Sequence, residues 1–232
     1  MGEKDRPSSV FGKIAIEVIQ LMEEFNIALV TSGAIGFGMK AMNLEERPTS
    51  SKKLQALSCT GQALLMQHWQ ESFGKVWVGQ ALVTSRELDD EQEEKKLEDT
   101  LEGMWSLGVV PIVNENDALA NDQIRVGDND TLAARLAVRI GADRLILLSD
   151  VSGVYKDFAK NPTSYLRNVS CTDARKYIQS DTSQFGTGGL ETKIQAADIG
   201  GKKITTYIAN ARDKDVVRAV LSGNKGTRFI VE

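Results

Sequence analysis

The chain alternates between segments with a helical spacing of apolar residues and short runs that are apolar throughout. In residues 10–25 apolar side chains recur at helical spacing with charged residues between them, which predicts a helix that buries one face. The segment IALVT at 27–31 is a short apolar run, and RLILLS at 144–149 has the same character. Uninterrupted apolar runs of this length indicate strands whose two faces are both covered, as in a parallel sheet.

The same pattern predicts further helices and strands in alternation, which indicates an α/β fold: a three-layer α/β/α sandwich with a mostly parallel central sheet. The region 156–186 shows no clear periodicity and is expected to be a flap or an irregular excursion. The remaining predicted helices are 52–72, 87–105, 131–140, 213–222 and one beginning near Gly189, and the remaining strands are 76–83, 109–113, 204–208 and 227–231.

Composition narrows the class of protein. The chain has 232 residues, 41% hydrophobic and 26% charged, which is typical of a soluble globular protein with one large domain or two small ones. The first ten residues have no signal-type apolar core, so a cytoplasmic protein is expected. The net charge of -4 gives no support to nucleic-acid binding, and two cysteines with one histidine exclude a disulfide framework and a structural zinc site.

Polar and glycine-rich segments follow three of the predicted strands, where ligands collect in a parallel α/β sheet. The first, TSGAIGFG at 31–38, allows a ligand to approach the backbone, or is a tight turn with glycines for packing. After the strand 109–113 come NEND at 114–117 and GDND at 127–130. Their carboxylates and amides suit an amino group, a lysine or Mg²⁺; the alternative is Asx-turn and helix-cap chemistry.

Two further segments are candidates for nucleotide binding. Ser149 and Asp150 stand at the end of the strand 144–149, before a glycine turn. The loop GTGGLETK at 186–193 runs into a helix, whose N–H groups could cradle phosphate beside Lys193; the alternative is a flexible loop with an exposed lysine. Neither GxxxxGK[ST] nor a GxGxxG that opens a helix after a strand occurs, so P-loop and Rossmann sites lose support.

Together these segments resemble the signature regions of the amino acid kinase family. The resemblance covers about residues 10–230 and is carried by VTSGAIGFG, VVPIVNENDALANDQIRVGDNDTLAA, GADRLILLSDVSGVY, FGTGGLETKIQAAD and GNKGTRF. The combination of NEND, GDND and GTGGxxTK is similar to the branch of the family that phosphorylates glutamate. Uridylate, aspartate, carbamate and acetylglutamate kinases share the fold without this set.

The resemblance implies that the γ-phosphoryl group of ATP passes to the side-chain carboxylate of L-glutamate. The product, γ-glutamyl phosphate, is the first intermediate of proline biosynthesis. By motif, Lys193 would stabilise the charge of the phosphoryl group in transfer, and Asp130 would orient the lysine. Glutamate would be held by Ser32, Gly33, Asp117 and Asn129, with Asp117 suited to its ammonium group.

The nucleotide and the partners are implied in the same way. Mg²⁺ would bridge oxygens of ATP, with no metal site made by the protein alone. The resemblance also suggests a homodimer or homotetramer and feedback inhibition by proline, with no membrane or nucleic-acid partner. The residues implied to hold ATP are Ser149, Asp150, Thr187, Gly188, Gly189, Leu190, Glu191, Thr192 and Lys193.

Two segments depart from the family pattern. Family members begin with a strand ending in Lys-x-Gly-Ser, and residues 1–9 here are MGEKDRPSS; KDFAKNP at 156–162 also differs from the usual acidic-Pro segment. We therefore expect one kinase domain over 1–232 that lacks this strand and has no C-terminal PUA domain. Two alternatives stay open: a weak or inactive module that binds glutamate or proline, and a related kinase with another carboxylate acceptor.

Overall fold

A computed structural model describes residues 9–84, 86–119, 128–156, 164–180 and 187–230, with the backbone alone at 128, 178–180 and 187–188. The chain divides into two compact units, Met1–Arg125 and Val126–Glu232. Each has its own sheet and its own helices. The predicted α/β fold with mostly parallel sheets is confirmed, whereas a single domain over 1–232 stays a prediction.

The first unit is built around a three-stranded parallel sheet in the order β1-β3-β2. The central strand β3 is buried over five of its six residues, and it aligns Val113 with Val30 on one side and with Ala81 on the other. Its first four residues, VPIV, are all apolar, as expected for a strand that is covered on both faces. The elements are α1 (Val10–Leu21), β1 (Leu29–Val30), α2 (Ala34–Ala41), α3 (Ser51–Phe73), β2 (Val78–Val83), α4 (Glu91–Ser106) and β3 (Val110–Glu115).

The second unit has a four-stranded sheet in the order β4-β6-β7-β5. Neighbouring strands are parallel except β6 and β7, which run antiparallel. Its core gathers Val154, Val169, Ile194, Ile208 and Phe229 from different elements. The elements are α5 (Asp128–Arg139), β4 (Arg144–Ser149), β5 (Asn168–Ser170), α6 (Cys171–Ser180), α7 (Thr187–Gly200), β6 (Thr205–Asn210), α8 (Val216–Leu221) and β7 (Thr227–Ile230).

Two glycines allow α2 and α3 to pack closely in the first unit. A Cβ atom on Gly61 of α3 would overlap the carbonyl oxygen of Ala34, and one on Gly38 of α2 would overlap that of Leu57. No residue with a side chain fits at either position without displacing backbone. The position of α3 beside the end of β1 therefore depends on the absence of two Cβ atoms.

Most predicted elements are confirmed, with shifted ends. The strand at 144–149 has the predicted bounds, whereas the first helix ends at Leu21 and the strand predicted at 27–31 is regular only at Leu29–Val30. The expectation of irregular structure over 156–186 is wrong at 168–180, where β5 and α6 lie. The segments 157–163 and 181–186, and with them most of KDFAKNP, lie outside the described residues.

Within the described residues, no helix is long and apolar enough to cross a membrane. Cys59 and Cys171 are both free thiols. The imidazole of His68 lies edge-on to Phe11, with ring centroids 4.6 Å apart.

Candidate active site

The end of β3 presents Asp117, which a helix residue holds in place. Ser58 of α3 is buried and its hydroxyl donates a hydrogen bond to Oδ2 of Asp117. Asp117 is half-buried and lies in a turn in which the N–H of Leu119 donates to the carbonyl of Asn116 at 3.0 Å. The carboxylate therefore has a defined position and keeps further acceptor capacity, since a carboxylate has about four lone-pair sites.

The end of β1 leads into the N-terminus of α2 through Ser32 and Gly33. Thr31 continues the pairing with β3, because its N–H donates to the carbonyl of Val113 at 2.9 Å. Gly33 has φ +107°, a left-handed conformation that favours glycine, and it is the N-cap of α2 without a capping side chain. Ser32 and Gly33 are both exposed, so this helix N-terminus and the Ser32 hydroxyl are open to solvent.

The turn that follows β2 is held by hydrogen bonds between Thr84 and the carboxylate of Glu87. Glu87 accepts a hydrogen bond from the backbone N–H of Thr84 at 2.6 Å and a second one from the Thr84 hydroxyl. The Thr84 hydroxyl, and after it the backbone N–H, hold the pKa of Glu87 below its usual value. Glu87 is thereby occupied in shaping the turn.

In the second unit, Asp130 brings two side chains of α7 together. The ammonium Nζ of Lys193 lies 2.9 Å from Oδ2 of Asp130, and the Thr192 hydroxyl donates to the same oxygen at 2.7 Å. The side chains of Lys193 and Asp130 are only 12% and 19% exposed. A charged pair with this little solvent contact is screened less than a surface pair, so the lysine presents a fixed positive charge.

The end of β4 carries Ser149 and the exposed Asp150. The Ser149 hydroxyl donates to Oδ1 of Asp150 at 3.2 Å, and its carbonyl accepts from the N–H of Ala211 at 2.8 Å. Asn210 of β6 donates through Nδ2 to the carbonyl of Asp150 at 3.0 Å. The two predicted nucleotide-binding residues are thus neighbours on a strand end that β6 supports.

The predicted phosphate-binding segment 187–193 is helical from Thr187 onward, so the helix begins two residues before the predicted start near Gly189. Gly189 is exposed, and a Cβ atom placed there would meet nothing within 4 Å. Leu190 packs against the core of the second unit, and Glu191 forms an ion pair with Arg175 at 3.3 Å. Of this segment, Thr192 and Lys193 are the side chains that meet Asp130.

Asn129 lies beside Asp130 in the first turn of α5 and is half-buried. At Thr187 and Gly188 the structure describes the backbone alone, so the contacts predicted for these two residues remain predictions. Among the described residues no group of three or more His, Cys, Asp or Glu side chains is placed to hold a metal ion. Asp117 and Ser32 belong to the first unit, and Asn129, Asp130, Ser149, Asp150 and 187–193 belong to the second.

The segment GTRF at 226–229 supports the turn after β4. Thr227 is fully buried and its hydroxyl oxygen accepts from the N–H of Val154 at 2.9 Å while donating to the carbonyl of Leu166. A Cβ atom on Gly153 would overlap this hydroxyl. The turn GVY at 153–155 therefore depends on its contact with the segment GTRF.

Sequence reasoning did not identify the contribution of α3. Ser58 contacts Asp117, Gln62 contacts Asn114 with Nδ2 and Oε1 2.8 Å apart, and the indole N–H of Trp69 donates to the Thr31 hydroxyl oxygen at 3.0 Å. A signal was present: these polar positions interrupt an otherwise apolar helix face at helical spacing. The spacing alone does not show which strand ends these side chains contact.

A sequence model of the amino acid kinase family matches residues 1–210. The chain belongs to this family. The family resemblance stated from the sequence is thereby confirmed.

Several relatives carry the name glutamate 5-kinase. The chain is 42% identical to that of Symbiobacterium thermophilum over 210 residues, covering 88% of this chain and 80% of the relative. It is 37% identical to that of Clostridium acetobutylicum, covering 95% and 87%. For the enzyme of Photorhabdus laumondii the identity is 39%, with 88% of this chain but 57% of the relative. The chain thus spans little more than half of some relatives and most of others.

Solved structures of distant relatives share the fold. Carbamate kinase from Giardia lamblia bound to AMP-PNP superposes with a TM-score of 0.62 at 16% identity, covering 100% of this amino acid kinase and 93% of that chain. N-acetylglutamate synthase from Neisseria gonorrhoeae gives 0.67 at 12% identity, covering 96% and 58%. At these identities the likeness concerns the fold alone.

Proposed function

We propose that this amino acid kinase transfers the γ-phosphoryl group of ATP to the side-chain carboxylate of L-glutamate, forming γ-glutamyl phosphate and ADP. The observation that carries the proposal is the cluster in which Asp130 holds the ammonium group of Lys193 at 2.9 Å with little solvent contact. The names of the relatives support the choice of glutamate as acceptor. In an organism that makes proline from glutamate, this reaction would be the first step.

The acceptor carboxylate is already a nucleophile, so the reaction needs no general base. Catalysis then consists of positioning the two substrates and neutralising charge on the transferring group. Lys193 would supply the positive charge, and Asp130 with Thr192 would hold it in place. A fixed charge costs no reorganisation when the transition state forms, which is the source of its catalytic effect.

The two substrates would be recognised by the strand ends. Asp117 would accept hydrogen bonds from the ammonium group of glutamate, while Ser32, Gly33 and Asn129 would contact the rest of the acceptor. The nucleotide would bind at Ser149, Asp150 and the segment Thr187–Lys193, where the N–H groups of the first turn of α7 suit phosphate oxygens. Leu190 and Glu191 would take part through their backbone, because their side chains contact the core and Arg175.

Mg²⁺ would enter as part of the nucleotide substrate. Magnesium sites in kinases use one or two carboxylates together with substrate phosphates. The exposed carboxylate of Asp150, beside Ser149, fits such a role. When bound, Mg²⁺ would neutralise charge on the phosphates.

Two properties rest on the family resemblance alone: a homodimer or homotetramer, and inhibition by proline. A cytoplasmic location stays a prediction from the sequence. Light scattering of the purified protein would give the oligomeric state. Titrating proline into the activity assay would test the inhibition, and fractionation of the source cells would test the location.

The decisive experiment traps the unstable product. Purified protein is incubated with L-glutamate, ATP, Mg²⁺ and hydroxylamine, and γ-glutamyl hydroxamate and ADP are both measured. We expect the two products in equal amounts, dependent on ATP and strongly reduced in Lys193→Met. A folded protein that binds glutamate but forms neither product would contradict the proposal and favour a binding module; product from another carboxylate alone would favour a different acceptor.

A further inference from the structure

Helix α3 presents two buried polar side chains to the end of β3 in the first unit. Ser58 and Gln62 are one helical turn apart and are 3% and 8% exposed. Ser58 donates to the carboxylate of Asp117, and Gln62 accepts from the Nδ2 group of Asn114 at 2.8 Å. Both partners come from the NEND segment at the end of β3, so one face of α3 contacts this segment at two points.

The orientation of the two amides is fixed by the backbone. The N–H of Glu115 donates to Oδ1 of Asn114 at 2.9 Å, which leaves Nδ2 of Asn114 as the donor toward Oε1 of Gln62. The remaining donor of Gln62, Nε2, is buried and has no hydrogen-bond partner among the described residues. A buried donor without a partner is costly, and a methionine would fill the position without burying a polar group of its own. The glutamine therefore contributes its hydrogen bond to Asn114 rather than its volume.

The contact of Ser58 with Asp117 restricts the carboxylate to one rotamer. A hydroxyl that donates to an ionised carboxylate forms a charge-assisted hydrogen bond, which is stronger than one between neutral groups. The Ser58 hydroxyl uses Oδ2, and the carboxylate retains acceptor sites for a ligand. A binding group that is held in place before the ligand arrives loses less conformational entropy on binding.

We propose that Ser58 and Gln62 are positioning residues that set the affinity for the ammonium group of the acceptor. Ser58 fixes the carboxylate of Asp117, and Gln62 fixes Asn114 and with it the path of the chain that carries Asp117. This inference rests on the proposed function, because it takes Asp117 as the group that binds the ammonium. It predicts that both residues act on acceptor affinity without touching the phosphoryl transfer.

The test compares Ser58→Ala with Thr60→Ala, a matched control on the same helix. The Thr60 hydroxyl is exposed and bonds to the carbonyl of Ala56 in its own helix. In the hydroxamate assay we expect Ser58→Ala to raise the KM for L-glutamate about tenfold, as for one lost charge-assisted hydrogen bond. Its kcat and its KM for ATP stay within about twofold of wild type, and Thr60→Ala behaves as wild type throughout.

Glutarate, which is glutamate without the amino group, provides a readout that a merely structural role would not move. If Ser58 acts through Asp117 on the ammonium, Ser58→Ala leaves the inhibition constant of glutarate unchanged. Equal losses for glutamate and glutarate would overturn the positioning role, since they would report a general distortion of the site. An unchanged KM for glutamate in Ser58→Ala would overturn it as well.

Gln62→Met separates affinity from stability. Methionine removes the buried unpartnered donor Nε2 but also the acceptor of the buried Nδ2 of Asn114, and these two effects oppose each other. We therefore expect the melting temperature to change little while the KM for glutamate rises about threefold. A lower melting temperature with unchanged KM would overturn the role of Gln62. If wild type and Thr60→Ala both fail to phosphorylate glutamate, the proposed function fails and this inference with it, a pattern distinct from loss in Ser58→Ala alone.

Discussion

Lys193 and Thr192 donate to the same carboxylate oxygen of Asp130, at 2.9 and 2.7 Å. Asp130 stands in the first turn of α5, and both of its partners stand near the start of α7. Because one oxygen receives both donors, the position of the lysine depends on two helices and on a neighbouring hydroxyl. This shared contact allows the effect on kcat to be predicted for substitutions of Asp130, Thr192 and Lys193.

Removing the charge of Lys193 should impair the chemical step. We expect Lys193→Met, which keeps most of the side-chain length, to lower kcat by about 10²–10³-fold, as for the loss of one preorganised electrostatic group. The KM for glutamate should change little, because the lysine is not assigned to the acceptor. Lys202→Met, at an exposed position after α7, is the control. A kcat equal to wild type in Lys193→Met would remove the lysine from the mechanism.

Removing the charge of Asp130 should leave the positive charge of Lys193 in the site but no longer hold it in one position. We expect Asp130→Asn to lower kcat by about tenfold or more, and Thr192→Val, which keeps the ion pair, to lower it by less. The double variant Asp130→Asn/Lys193→Met should be no worse than Lys193→Met, since groups that act as a unit have non-additive effects. Steady-state kinetics of the single and double variants check this; strictly additive losses would contradict the coupling.

The fold could be predicted where the sequence pattern is strong. The strand Arg144–Ser149 has four successive apolar residues at 145–148 and was predicted with its observed bounds, although Leu147 is its one fully buried residue. Strand β5 has three residues, and α6 buries small residues such as Cys171 and Ala174, so neither gives a clear period. The start of α7 was placed too late because glycines disfavour a helix in isolation.

The site could be predicted in part for a similar reason. The carboxyl ends of parallel strands collect ligands, so the topology itself pointed to Ser32, Asp117 and Ser149. The meeting of Asp130 with Lys193 followed from the family resemblance and is present in the structure. The contact of Ser58 with Asp117 joins residues 59 positions apart. It depends on the close packing of α3, which no local pattern encodes.

That packing can be tested at Gly61. We expect Gly61→Ala to destabilise the protein by at least about 1–3 kcal/mol, because its Cβ atom would overlap the carbonyl of Ala34. Gly103→Ala in α4 is a control of opposite sign: nothing lies within 4 Å of its Cβ position, so alanine should stabilise the exposed helix by up to about 1 kcal/mol. Chemical denaturation gives the free energy of unfolding of wild type and both variants. Equal values for Gly61→Ala and Gly103→Ala would contradict the close approach of α2 and α3.

The two cysteines should differ sharply in reactivity. Cys59 is exposed on α3, whereas Cys171 is 6% exposed at the start of α6. Burial, together with the neighbouring Asp198 carboxylate, raises the pKa of the Cys171 thiol to about 12. Because the thiolate is the nucleophile, a thiol reagent at pH 8 should modify Cys59 quickly and Cys171 only after denaturation. Two rapidly modified thiols in the native protein would contradict this.

The same shift predicts a loss of stability at alkaline pH. The pKa of the thiol rises from 9.0 in the unfolded chain to about 12 in the fold, so above pH 9 the unfolded chain loses a proton that the folded chain retains. The contribution is therefore complete below pH 9 and is lost as the pH rises toward 12, with a slope of at most about 1.4 kcal/mol per pH unit. Urea denaturation of wild type and Cys171→Ala at pH 8 and pH 10 isolates it, because other alkaline groups titrate in both. We expect the stability advantage of wild type to shrink at pH 10; a constant advantage would show that Cys171 ionises equally in both states.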